Sequence, residues 1–150
     1  MYRGKARTGE FVPKHPEKYI GVKTVLEYRS SWEMRAMEFF DNNVKVVGWS
    51  YEEIKIQYLK PQMGGGFTQS YYIPDVYVEY YDRHGVLQRE VLEIKPKAQT
   101  APPTSKNAKK KIYESYTWAV NKAKWLAAER WCEFHQLKFR LITETSIFNA

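Results

Sequence analysis

The spacing of apolar and polar residues along the chain predicts a short helix, a set of strands and a long second helix. Ser30 or Ser31 can cap a helix, which we expect to continue to about Phe40. Segments rich in Val, Ile, Leu and Tyr predict strand regions at 44–59 (in two pieces, 44–49 and 53–59), at 71–81 and at 86–95, and a last strand at 139–142. A long helix is expected from Asn107 to about Phe134, with an apolar stripe made of Ile112, Tyr116, Ala119, Ala123, Leu126 and Ala127.

This order of elements, α-β-β-β-α-β, predicts an α/β fold. With 150 residues the chain is long enough for one domain around one core. Residues 1–29 mix Gly, Pro and Lys, so we expect an extended N-terminal arm with a short strand at 22–26. Residues 30–150 are expected to form the domain, with a flexible glycine-rich loop at 61–66.

The strands at 71–81 and 86–95 are predicted to form a hairpin. A three-residue turn at 83–85 places Asp82 opposite Val86, with Gly85 in the left-handed conformation that such turns favour. This turn sets the register of the two strands over their whole length.

On this register Asp75 lies directly across from Glu93, and Lys95 shares the face of Glu93 because strand side chains alternate. Facing carboxylates repel each other, and a divalent cation between them is a reason for a sequence to place them so. The alternative is a hairpin with exposed acids and an ordinary surface ion pair.

The first helix carries an acid on its apolar face. Glu33 precedes Ala36, Met37 and Phe40 at helical spacing. An acid there is costly unless it is paired or bound to metal. Glu33, Asp75 and Glu93 are therefore candidates to converge, and oxygen ligands of this kind suit Mg²⁺ or Mn²⁺.

The segments Ile73-Pro74-Asp75 and Glu93-Ile94-Lys95 resemble the signature of the PD-(D/E)xK nuclease superfamily. With Ser30-Ser31-Trp32-Glu33, Leu92 to Pro96 and Lys124-Trp125 added, the chain resembles the TnsA-type endonuclease domain. The resemblance implies a restriction-endonuclease-like core with a central mixed sheet flanked by helices. It also implies Mg²⁺- or Mn²⁺-dependent hydrolysis of DNA, with ligands from Glu33, Asp75, Glu93 and the Ile94 carbonyl, and with Lys95 as the catalytic cation.

Within that family the resemblance is to members encoded by T-even-like tailed phages. It implies a role in head completion, after DNA packaging and before tail attachment, with DNA and phage head, portal or neck proteins as partners. The expected location is the host cytoplasm or the virion. Two alternatives stay open, a non-enzymatic DNA-binding assembly protein that keeps a nuclease fold and a junction or repair nuclease of the same superfamily.

The charge of the chain adds an expectation that the protein binds DNA. The net charge is +7 and the pI about 9.4, which favours polyanions. Cations oppose the helix dipole near a helix start, so the lysines there suggest phosphate contact, with a solvated charge run as the alternative. The predicted DNA-binding residues are Lys106, Lys109, Lys110, Lys111 and Lys122, and Lys122 is either near the active site or in solvent.

Several classes of protein are disfavoured by the sequence. One cysteine cannot form an internal disulfide, so a reducing compartment is expected. No stretch approaches the ~20 apolar residues of a membrane span, and the glycine-rich loop lacks the ending of a nucleotide-binding loop. Trp118, Trp125 and Trp131 are interpreted as packing residues rather than base-stacking platforms.

Overall fold

A computed structural model describes residues 8–143 and residue 146. Two helices and eight strands follow one another along this part of the chain, with single 3₁₀ turns at Pro16–Lys18 and Lys97–Thr100. The elements are β1 (Gly9–Phe11), β2 (Leu26–Tyr28), α1 (Ser31–Asn42), β3 (Val46–Tyr51), β4 (Ile56–Pro61), β5 (Phe67–Tyr72), β6 (Val76–Tyr81), β7 (Leu87–Ile94), α2 (Ala108–Phe134) and β8 (Lys138–Ile142).

The central sheet has four strands in the order β3-β6-β7-β8. The pairs β3·β6 and β6·β7 are antiparallel, and β7·β8 is parallel. Parallel neighbours need a long crossover connection, and α2 provides it between β7 and β8. The predicted α/β fold with a mixed sheet and flanking helices is confirmed.

Two apolar clusters lie in different parts of this architecture. One joins α1 to the sheet through residues such as Met37, Trp49 and Leu92. The other joins α2 to a separate hairpin made of β4 and β5, with Ile56, Tyr58 and Tyr72 packed near Trp125. Because strand side chains alternate, Glu93 points away from the α1 side that Leu92 faces.

The β6–β7 turn has the predicted geometry. The backbone N–H of Asp82 donates to the carbonyl of Val86 at 2.9 Å, and Gly85 has a φ of +73°. The strands pair Val76 with Leu92, so the next position on the same register aligns Asp75 with Glu93. The register predicted from the turn is confirmed.

The strand predicted at 71–81 is wrong as a single strand. β5 ends at Tyr72 and pairs with β4, whereas β6 begins at Val76 in the central sheet. Pro74 lies between them and has no N–H to give to a ladder, so the chain leaves one sheet there and enters the other. The predicted strand pieces at 44–49 and 53–59 correspond to β3 and β4.

Helix α1 starts where the sequence predicts. Ser30 is its N-cap and accepts a hydrogen bond from the N–H of Glu33 at 3.2 Å. Its buried side chains include Ala36, Met37 and Phe40, as the apolar spacing predicted.

Residues 8–29 lie against the rest of the structure. Leu26 is buried in the α1 cluster, and buried Asp41 accepts backbone hydrogen bonds from Lys14 at 2.8 Å and His15 at 3.1 Å. The short strand expected at 22–26 is observed instead at Leu26–Tyr28. The arm's first seven residues lie outside the described residues, and a domain boundary at residue 29 stays a prediction.

Helix α2 has the predicted bounds, with Asn107 as its N-cap. The predicted apolar stripe is half right. Tyr116, Ala123 and Ala127 pack against the α2 cluster, whereas Ala119 is exposed and Ile112 and Leu126 are 63% and 49% exposed. The helix packs through a face rotated from the expected one, since its partner is the β4–β5 hairpin. Trp125 packs there with Trp118 and Trp131, as predicted for these aromatics, and the buried residues of α2 are Val120, Asn121, Trp125, Ala128 and Cys132.

The predicted glycine-rich loop forms the tip of the β4–β5 hairpin. Gly65 and Gly66 have φ of +97° and +78°, a conformation that L side chains rarely adopt. A Cβ at Gly64 would meet nothing within 4 Å. In the described part of the chain, no helix combines the length and the apolar character that crossing a membrane requires.

Candidate active site

Asp75 lies just before β6 and accepts hydrogen bonds from two backbone N–H groups. The N–H of Ile94 donates to Oδ2 of Asp75 at 2.7 Å, and the N–H of Glu52 donates to the Asp75 carbonyl at 2.9 Å. The first bond links the carboxylate to β7 beside Glu93. The chain passes from one sheet to the other at Pro74, and this places Asp75 where its side chain can reach the neighbouring strand.

Glu93 lies beside it with a hydroxyl and an ammonium group close by. Glu93 is only 7% exposed. Tyr72 donates its hydroxyl hydrogen to Oε2 at 2.6 Å, and Nζ of Lys95 lies 3.7 Å from Oε1. Three of the predicted site residues, Asp75, Glu93 and Lys95, are therefore brought together.

The two carboxyl groups share a site that disfavours their charge. Burial and then the charge of Glu93 raise the pKa of Asp75, while the Ile94 N–H acts in the opposite direction. Burial also raises the pKa of Glu93, and Tyr72 and Lys95 partly oppose that shift. The negative charges of these two facing acids are only partly compensated. A divalent cation bound between them would stabilise both charges.

Glu33 makes hydrogen bonds at the start of α1. Its Oε2 accepts the backbone N–H of Arg29 at 2.8 Å and the hydroxyl of Tyr51 at 2.5 Å. Ser30 caps the helix, and Glu33 reaches back to the N–H of Arg29, one residue before the N–H that a capping box uses. Glu33 still contributes to the raised pKa of Asp75, so its charge is felt at the site.

The donor chemistry of Asp75 and Glu93 fits a Mg²⁺ or Mn²⁺ ion, since both present carboxylate oxygens, buried at Glu93 and partly buried at Asp75. Within residues 8–143 and 146, no three His, Cys, Asp or Glu side chains form a group arranged to hold a metal ion. Of the predicted ligands, Asp75, Glu93 and Ile94 are adjacent, and Ile94 uses its N–H toward Asp75. Oε2 of Glu33 accepts hydrogen bonds from Arg29 and Tyr51, and the role of Glu33 as a ligand stays a prediction.

Lys124 of α2 is a site residue that the sequence reasoning did not select. It is half-buried, and its Nζ lies 5.7 Å from the centre of the Tyr72 ring. Lys122, the α2 lysine that was expected either near the active site or in solvent, is exposed. Lys124 is three residues after Asn121 and four before Ala128, both buried, so the correct helical phase would have indicated it.

Glu52 is a second acid near Asp75 that sequence reasoning missed. It adopts a φ of +52° at the end of β3 and pairs with Arg29 and, at 4.0 Å, with Lys23. Its charge adds to the raised pKa of Asp75. No feature of the sequence distinguishes it from Glu53 beside it.

The five lysines predicted to bind DNA are all exposed. Lys110 lies 3.8 Å from Glu114, one helical turn away. The structure leaves all five side chains available to a large polyanion, and their contact with DNA stays a prediction. They are Lys106, Lys109, Lys110, Lys111 and Lys122.

Most of the chain matches a known protein family. The family described as "TnsA-like endonuclease N terminal" matches residues 43–144, which include Asp75, Glu93, Lys95 and Lys124 but not Glu33. The chain is also 35% identical over 148 residues to the head completion nuclease of Enterobacteria phage T4, covering 95% of this chain and 94% of that protein. No solved structure matches the chain.

Proposed function

This chain belongs to the TnsA-like endonuclease family, and on that basis we propose that it is a metal-dependent endonuclease that hydrolyses phosphodiester bonds in DNA. The observation that supports this best is the position of Lys95, whose Nζ lies 3.7 Å from buried Glu93, which faces the partly buried Asp75. A protein that only binds DNA gains nothing from buried carboxylates that repel a polyanion.

In this proposal Asp75 and Glu93 hold Mg²⁺ or Mn²⁺, with Glu33 and the Ile94 carbonyl as further ligands. The bound cation supplies Lewis-acid activation of the scissile phosphate and of a water molecule. Lys95 orients that water or stabilises the negative charge that develops on the phosphate.

Two neighbouring groups position the acids in this scheme. The Ile94 N–H fixes one oxygen of Asp75 and leaves the other free to face a ligand. Tyr72 fixes one oxygen of Glu93, and because burial and Glu93 raise the pKa of Tyr72, its hydroxyl remains a donor at working pH. The carboxylates are thus oriented before substrate arrives.

The biological setting follows from the similarity to a phage protein that is named a head completion nuclease. We infer that this chain acts on phage DNA after packaging and before tail attachment, in the host cytoplasm or in the assembling virion. Head, portal or neck proteins are its expected protein partners.

Cleavage of DNA by the purified chain tests the proposal. Linear, nicked and branched DNA are incubated with Mg²⁺ or Mn²⁺, and Asp75→Ala is compared with Glu129→Gln, which removes an exposed acid from α2. We expect cleavage by the wild type and Glu129→Gln and none by Asp75→Ala. If the wild type cleaves none of these substrates with either metal, a non-enzymatic DNA-binding role takes the place of this proposal.

A further inference from the structure

Two lysines from different layers lie near the candidate active site without a carboxylate partner. Lys60 belongs to β4 and Lys124 to α2, and both side chains are partly buried. Among the ion pairs within residues 8–143 and 146, neither lysine has an acidic oxygen within 4.0 Å. Lys95, which is close to Glu93, is the third cation of this region.

The strand pattern directs Lys60 toward α2. Side chains two apart on a strand share a face, so Lys60 shares that of Ile56 and Tyr58. Those two residues are buried in the cluster that contains Trp125 of α2. Lys60 is therefore on the inner side of the β4–β5 hairpin, near its exposed end.

Lys124 faces the same inner side of the hairpin from the helix, nearer its base, because Tyr72 pairs with Ile56 whereas Lys60 pairs with Thr68. Its Nζ lies 5.7 Å from the centre of the Tyr72 ring, and the hydroxyl of that ring reaches Glu93 at 2.6 Å. Tyr72 thus separates Lys124 from the acids by the width of one aromatic side chain.

The electrostatics of this group are unfavourable without an anion. Burial, then the charge of Lys95, and more weakly that of Lys60, lower the pKa of Lys124, and only Glu93 opposes this. Like charges that are brought together at a partly desolvated site cost free energy unless a counter-charge joins them. Glu93 is already shared by Tyr72 and Lys95.

We propose that Lys60 and Lys124 form a phosphate-binding site that holds a DNA backbone phosphate next to the scissile one. The site lies between the hairpin and α2, and it extends from Lys124, one aromatic ring away from Glu93, toward Lys60 near the exposed end of the hairpin. Its identification as a DNA site rests on the proposed nuclease function, whereas its preference for a phosphate anion rests on the lysines themselves.

Charge-removing variants test this site. Lys60→Met and Lys124→Met keep the aliphatic stem and remove the charge, and Arg130→Met removes one exposed charge from α2 as a matched control. Binding of a labelled DNA duplex is measured without metal over a range of salt concentrations. Each lysine variant should weaken binding roughly tenfold, as loss of one charge-assisted contact does, and lower the salt slope by about 1.

Further measurements separate this idea from a folding defect and from the nuclease proposal. Lys124→Arg should restore affinity, and Lys124→Met should melt no lower than the wild type because a desolvated charge is removed. With Mg²⁺, the lysine variants should raise KM more than they lower kcat.

If Lys60→Met and Lys124→Met bind DNA like Arg130→Met while the wild type cleaves, the phosphate site is refuted and the nuclease proposal stands. If the wild type does not cleave but both variants still lose affinity, the phosphate site stands alone.

Discussion

The hydroxyl of Tyr72 lies 2.6 Å from Oε2 of Glu93, and both side chains are buried. Tyr72 ends β5 of the separate hairpin, and Glu93 lies in β7 of the central sheet, so this bond joins two layers at the site. The orientation of Glu93 therefore depends on the hairpin staying packed against α2.

Replacing Tyr72 with Phe removes this bond and leaves the ring in place. A hydrogen bond to a charged group contributes about 1.5–3 kcal/mol, so Tyr72→Phe should lower the free energy of unfolding by roughly that amount. Cleavage should slow as well, because Glu93 loses a positioning donor. Denaturant unfolding measures the first effect, and Tyr71→Phe, at an exposed hydroxyl of the same strand, is the control.

Asp75→Asn should abolish cleavage while the fold persists. Asn keeps an oxygen that can accept the Ile94 N–H but loses the charge that a cation needs. Because the pKa of Asp75 is raised in the folded state, its ionisation destabilises the metal-free protein above the ordinary Asp pKa. The metal-free unfolding midpoint at neutral pH should therefore rise slightly in the variant. Cleavage at the wild-type rate would remove Asp75 from the site.

Lys95→Met should lose most cleavage and retain metal binding, since an ammonium group is not a ligand. The metal-induced rise in melting temperature measures binding to the folded state. We expect that rise to match the wild type's, while single-turnover cleavage falls. A variant that loses both properties together would place Lys95 in a structural role.

Glu33→Gln distinguishes a ligand from a helix cap. Gln can still accept the Arg29 N–H, so the local fold should persist with a stability change below about 1 kcal/mol. If Glu33 is a ligand, Mg²⁺ should raise the melting temperature of the variant less than that of the wild type, and cleavage should fall.

Ser30→Ala is the matched control for this test. It weakens the same helix start, by about 1 kcal/mol, without touching a proposed ligand. Equal metal-induced shifts and equal cleavage rates in Glu33→Gln and the wild type would leave Glu33 as a cap only.

Neutralising Lys109, Lys110 and Lys111 together should flatten the salt dependence of DNA binding. Each phosphate contact contributes about 0.9 to the slope of log affinity against log salt, so the loss should be up to about 3. Metal affinity should not change, because these lysines are exposed on α2, and the ion pair that the described residues show for them joins Lys110 to Glu114 rather than to Asp75 or Glu93. An unchanged slope would assign the cluster to solvent.

Local signals in the sequence were sufficient to predict the parts of the structure whose position depends on one turn or one helix cap. The left-handed Gly85 fixed the β6–β7 register and hence the approach of Asp75 to Glu93. Ser30 and Asn107 likewise marked both helix starts. These features depend only on backbone conformations that neighbouring residues dictate.

Features that depend on distant partners were not predictable in the same way. Helix α2 has apolar residues on more than one side, and only the hairpin that packs on it decides that Trp125 rather than Leu126 is buried. The same choice brings Lys124 close to Tyr72, beside the acids, and leaves Lys122 exposed. Glu33 has the helical phase of a buried acid, one of its carboxylate oxygens accepts hydrogen bonds from Tyr51 and Arg29, and its role as a ligand stays a prediction.

The tip of the β4–β5 hairpin offers a position for a fluorescent reporter. A cysteine at Gly64 meets no neighbouring atom within 4 Å, and the one native thiol, Cys132, is buried, with a pKa that burial raises to about 11. A maleimide dye should therefore label Gly64→Cys selectively at neutral pH, with no need to remove the native cysteine. Emission from that dye would follow the arrival of DNA at the hairpin in real time, independently of cleavage.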